Sequence, residues 1–135
     1  MGVSTDGIIA FGILFKDGEA PWQLEENEEN GFEGYEDWFL SKLEIDQDST
    51  WRAKDRALEN LGLTVENYCA SNYPRYALVV KESIITARRG DPERIDPTGL
   101  VEDTADHRAA FKRGCELLGV TFQMAPEWLL MIYWR

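Results

Sequence analysis

At 135 residues, with 44% hydrophobic and 12% aromatic content, the chain can bury a core of its own, which excludes general disorder and any need for a disulfide framework. Its net charge is −11, and the first 51 residues account for all of it: thirteen acids there face only Lys16 and Lys42, while residues 52–135 balance twelve acids against twelve bases. Such a field attracts basic partners and disfavours direct binding of free nucleic acid.

Residues 8–15 predict a strand, apolar on both faces. Ile9, Phe11, Ile13 and Phe15 share one face; Ile8, Ala10, Gly12 and Leu14 share the other, whose smaller side chains predict close approach of a helix. Asp17-Gly18 marks a turn. The polar, acidic stretch that follows, to about residue 34, reads as a long loop with Pro21-Trp22 as an anchor. Tyr35, Trp38, Phe39 and Leu43 have the spacing of one helical face and predict a helix over 35–45. Asp48 or Ser49 is placed to cap a second helix through Leu61, with Gly62 as its stop and Ala53, Ala57, Leu58 and Leu61 on its buried side.

Residues 76–80 and 84–88 predict two strands joined as a hairpin at Lys81-Glu82-Ser83. Asp91-Pro92 and Asp96-Pro97 break the chain into a loop, and Asp103 or Thr104 caps a third helix that ends before Gly119. Its stripe is Ala110, Phe111, Gly114, Cys115 and Leu118. Residues 128–134 form a last strand, apolar on both faces. The sum is one domain over 1–135, an α+β fold of about four strands in an antiparallel or mixed sheet with about three helices packed on it. The first and last strands are expected side by side in the sheet centre.

Several chemistries lack their residues. One histidine, His107, and no Cys-x-x-Cys pair leave no usual zinc set, and Glu25-Glu26-Asn27-Glu28-Glu29 has neither the alternation nor the turn glycine of a calcium loop, so no metal or other cofactor is expected. His107 falls at the edge of its helix stripe, and Cys115 falls on the buried side, where a thiol is a poor nucleophile. Cys69 and Cys115 read as two buried free thiols. No phosphate-binding glycine string is present. No catalytic residue is therefore assigned. The start of the chain lacks a basic segment followed by an apolar core, and the longest apolar run is far short of the roughly 20 residues of a membrane helix, so a cytoplasmic location without membrane association is expected.

Two clusters remain as candidate binding sites. Glu25, Glu26, Glu28, Glu29, Glu33, Glu36 and Asp37 could form an acidic contact surface for a basic protein. Arg88, Arg89 and Arg94 could bind an anion, with Asp91 or Asp96 as a general base beside them.

Gly2-Val3-Ser4-Thr5-Asp6-Gly7, Tyr73-Pro74-Arg75-Tyr76-Ala77-Leu78, Ala87-Arg88-Arg89-Gly90 with Ile95-Asp96, and the strand over 128–134 give the chain a resemblance to a group of small bacteriophage-encoded proteins. The resemblance covers both ends and the middle but skips the acidic loop and the second helix. It implies a phage origin and a host-cytoplasm setting, and brings no catalytic residue to carry over.

Three functions fit these residues. The first is an acidic protein that binds a basic surface of a host protein, nucleic-acid-handling proteins among them, as a nucleic-acid mimic or anti-defence inhibitor would. The second is a small enzyme or binding domain for an anionic small molecule. The third is a phage structural or assembly protein whose own oligomer forms through Trp128, Tyr133 and Trp134. The sequence leaves the oligomeric state open.

Overall fold

The strand β1 (Thr5–Leu14) organises the molecule. The computed structural model describes residues 5–24 and 34–134. Along one edge β1 pairs antiparallel with β5 (Glu127–Trp134), from Thr5 opposite Trp134 to Gly12 opposite Glu127. Along its other edge it meets two strands in succession. β3 (Tyr73–Val80) lies against Gly12, Ile13 and Leu14, and β4 (Ile85–Arg88) lies against Asp6 to Ile9. β2 (Leu63–Ala70) pairs antiparallel with β3 and meets β5 in parallel at Cys69 and Ala70. The result is a five-stranded mixed sheet in which β1, β3, β2 and β5 each pair with the next around a ring. The first and last strands do lie together, as their two apolar faces require.

The ring explains the small face of β1. The sheet curls toward that face, and Ile8, Ala10, Ala77, Val79 and Met131 fill the inside of the curl. Gly12 sits where β1 and β3 come closest: a Cβ there would overlap the Leu78 carbonyl oxygen and lie 2.7 Å from the Val79 Cα. The small residues therefore admit the sheet's own backbone, not a helix as expected. The helices pack on the other face. α1 (Pro21–Leu24), α2 (Tyr35–Lys42), α3 (Trp51–Leu61) and α4 (Pro97–Leu118) deliver Trp22, Trp38, Phe39, Leu61, Phe111 and Leu118 onto Phe11, Ile13, Phe15, Leu63, Val65, Leu78 and Val80. Gly114 lets α4 lie on β2, since a Cβ there would strike the Leu63 side chain.

Local signals set most boundaries. Thr50 caps α3 by accepting from the Ala53 N–H at 3.2 Å, one or two residues after the expected cap, and Gly62 ends the helix at φ 72°. Leu61 is buried, Ala57 and Leu58 are half-buried, and Ala53 is exposed, so the buried side is narrower than its spacing implies. α4 starts earlier than expected. Asp96 accepts from the Thr98 N–H at 3.2 Å and Pro97 takes the first helical position, where its missing N–H costs nothing. The pair Asp96-Pro97 is a helix start, not a loop. α2 ends at Lys42, and Pro21-Trp22 proves to be a one-turn helix with Trp22 buried against Phe15, Trp38 and Tyr76.

The predicted hairpin at 81–83 is a different device. β3 and β4 do not pair with each other; both pair with β1, as two segments of one partner strand interrupted by a 3₁₀ turn at Lys81–Ser83. Two residues of β1 lie between the paired positions Ile9 and Gly12, while five lie between their partners Val79 and Ile85. The interruption would strand a buried N–H on β1. Ser83 closes the gap: its hydroxyl accepts from the Phe11 N–H at 2.8 Å and donates to the Val80 carbonyl at 2.6 Å.

Candidate interaction surfaces

The acidic candidates divide at residue 34. Glu25, Glu26, Glu28, Glu29 and Glu33 lie outside the described residues. Glu36 and Asp37 occupy the first turn of α2, where carboxylates oppose the partial positive charge of a helix N-terminus, so both help hold the helix as well as present charge. Glu36 is exposed and Asp37 is partly buried. Asp37 also lines a recess of about 390 Å³, together with Leu40, Ser41, Glu44, Ile45, Asp46, Gln47 and Lys54. The one cation in this lining, Lys54, donates to the Gln47 carbonyl at 2.7 Å and so buttresses the loop between α2 and α3. Glu44, Asp46 and Asp48 are all exposed on that loop. The acidic surface therefore reaches past the residues that the charge run singles out, around the outer end of α2.

Burial and neighbouring charge act together beneath this surface. The Tyr35 hydroxyl is pushed above its ordinary 10.0, first by burial and then by Glu36 and Glu66, against a hydrogen bond with Thr64 that pulls it down. Burial also raises Glu66 above its ordinary 4.5.

The arginine candidates end up as exposed surface. Arg88 closes β4, and the chain turns back at once: the Asp91 N–H donates to the Arg88 carbonyl at 2.9 Å, with Gly90 at φ 81°. Arg89 continues the ladder through its N–H to the Thr5 carbonyl at 3.1 Å. Arg94 follows on the loop to α4. All three side chains are exposed, as are Asp91 and Asp96, and Asp96 is engaged as the cap of α4.

Groups with catalytic potential are used for packing. His107 is half-buried between Phe11 and Trp128, with ring centroids 6.2 and 5.5 Å away. Burial pushes the Cys115 thiol up to about 11, which leaves it protonated and unreactive at neutral pH. Cys69 is free and exposed, contrary to the expectation of two buried thiols, because β2 carries it to the hairpin end of the sheet. Among the described residues, no group of three or more His, Cys, Asp or Glu side chains is placed to hold a metal ion, and no helix is long and apolar enough to cross a membrane.

One surface escapes residue-by-residue reading. β5 is apolar on both sides, yet only one side is enclosed: Met131 is 3% exposed, whereas Leu130 and Ile132 are 78% and 60% exposed. Alternation along the strand was the available signal, but it cannot say which apolar face goes without a helix. No family model, curated protein or solved structure matches the chain.

Proposed function

We propose that this protein is a non-enzymatic binding protein whose acid-rich first 51 residues occupy a basic surface on another protein. The observation that carries the reading is the segregation of charge, with the whole of −11 in that part of the chain and none in the remainder. The exposed positions of Glu36, Glu44, Asp46 and Asp48 around α2 support it, since side chains there face solvent, where a cationic surface would approach. The pairing of Asp37 with two further acids in one recess adds to the local negative potential. The resemblance to small bacteriophage-encoded proteins gives this reading its setting: the partner is a host protein, and one that handles nucleic acid is a natural case, because carboxylates can stand where phosphates would. Opposite charges steer such a pair together and salt weakens them.

Affinity capture from bacterial lysate at low and at raised salt tests this. The expected result is a specific basic partner released by salt, and lost when Glu25, Glu26, Glu28, Glu29, Glu33, Glu36 and Asp37 are replaced by their amides. Capture of the same partner by that variant at unchanged affinity would overturn the reading.

A further inference from the structure

Another concavity lies on α4, in the part of the chain whose charges balance. Arg108, Phe111, Lys112 and Cys115 follow one another at the spacing that aligns side chains on one helix face. At the end of the helix Gly119 takes φ 69°, and the Val120 N–H donates back to the Cys115 carbonyl at 3.1 Å. The chain therefore reverses, and residues 120–126 return alongside that face. Phe122 is held there against Phe15, with ring centroids 5.6 Å apart. Between the helix and the returning segment a groove of about 390 Å³ remains, a volume suited to a small molecule.

Walls and rim differ in character. Phe111, Val120, Phe122, Met124 and Pro126 make the walls apolar, and Cys115, protonated at neutral pH, adds no charge to them. Arg108 and Lys112 stand one turn apart and exposed, so their carbon stems extend the apolar wall while their charged heads meet water. Neither head has an ion pair or a hydrogen bond among the described residues. Glu116 is the one acid in the lining, and two cations against it leave the groove net positive on a chain of −11.

We propose that this groove binds a small amphiphilic anion, an alkyl or aryl body that carries one negatively charged head group. Both halves of the groove select it. The body buries against the apolar walls, and the head meets Arg108 and Lys112. A neutral hydrocarbon leaves the two cations unanswered, and a small inorganic anion leaves the walls wet. The site goes beyond the capture of a basic protein, because it attracts the opposite charge. The field of the whole chain repels anions, so binding depends on the two local cations and is modest. Octanoate, with about ten non-hydrogen atoms, should bind with a dissociation constant on the order of a millimolar.

Methyl NMR titrations of the purified chain with octanoate, 1-octanol and acetate test the proposal. The expected result is a saturable shift of the Val120 and Met124 methyls with octanoate, while Met131, enclosed on the inner side of the sheet, stays still. Octanol should bind about three- to tenfold more weakly, the worth of two exposed charge contacts, and acetate should move neither methyl. The double variant Arg108→Gln and Lys112→Gln should bring octanoate down to the affinity of octanol, and Met124→Glu should abolish octanoate binding. All three positions are exposed, so the fold should tolerate the changes. Octanoate that leaves both methyls unmoved, binds no better than octanol, or keeps its affinity without the two cations would overturn the proposal. If the variants fail to fold, octanoate against octanol on the unaltered protein decides: a preference for octanoate at Val120 and Met124 supports the proposal, and equal binding sinks it.

Discussion

Phe11, Ile13 and Phe15 lie beneath helices, whereas Ile9, two residues earlier on the same side of the same strand, looks onto an open face. Both ends of β1 are apolar, so hydrophobicity does not distinguish them. What differs is what the topology brings alongside. At one end the sheet closes into its ring, β3 presses on Gly12, and α1, α2, α3 and α4 supply aromatic and aliphatic cover. At the other end β4 and β5 flank the strand, and no helix among the described residues covers Leu130 or Ile132. On this side β1 is thus core under the helices in its second half and only half-buried at Thr5, Gly7 and Ile9 in its first, while Asp6, Ile8 and Ala10 on its other side are buried.

The glycines of β1 break this contrast most sharply. Gly12→Ala should cost more than about 3 kcal/mol or prevent folding, because its Cβ meets backbone that cannot move without opening the ring. Gly7→Ala should be neutral or stabilise by about 0.5 kcal/mol, since only the Ala87 carbonyl oxygen comes near, at 3.9 Å, and alanine suits a strand better than glycine. Urea unfolding of the two variants measures the difference. Side-chain truncation gives the next largest effect: Phe11→Ala should cost about 3–5 kcal/mol. Leu130→Ala, at an exposed position, should stay within about 0.5 kcal/mol.

Ser83→Ala tests the junction between the two ends. It leaves the buried Phe11 N–H without its acceptor, and a loss of about 1–3 kcal/mol is expected in the same unfolding assay. The smallest effect belongs to Glu66. Because burial raises its folded pKa, the native state keeps the proton to higher pH than the unfolded chain, and stability falls as pH climbs through 4.5 toward the raised value. Glu66→Gln should therefore raise Tm by about 1–2 °C at pH 7, with the gain vanishing near pH 4, as thermal scans across that range would show.

The sequence makes the packed end legible and the open end nearly invisible. Apolar periodicity identifies α2, and Gly62 and Gly119 end α3 and α4 at positive φ as their type predicts. The apolar content of residues 8–15 and 128–134 places β1 and β5 together. β2 goes unseen because its alternation, Leu63-Thr64-Val65-Glu66, is short and breaks at Asn67, although the strand pairs along its whole length with β3 and at Cys69 and Ala70 with β5. Lys81-Glu82-Ser83 looks like a hairpin turn because the polar break is real; only pairing with a distant strand reveals it as a splice within one partner strand. The acidic surface is legible as charge, but Lys54 and the loop acids join it through tertiary contact between α2 and α3, which spacing along the chain does not encode.

The pairing of β1 with β5 has a consequence for synthesis. More than a hundred residues separate Leu14 from Glu127, so the most apolar stretch of the chain leaves the ribosome long before its longest partner exists. At about 5–20 residues per second, that interval is on the order of 10 s. During it Phe11, Ile13 and Phe15 have no completed sheet to enter. The dense carboxylates that follow within the next thirty-five residues are then the nearest feature able to keep nascent chains from one another.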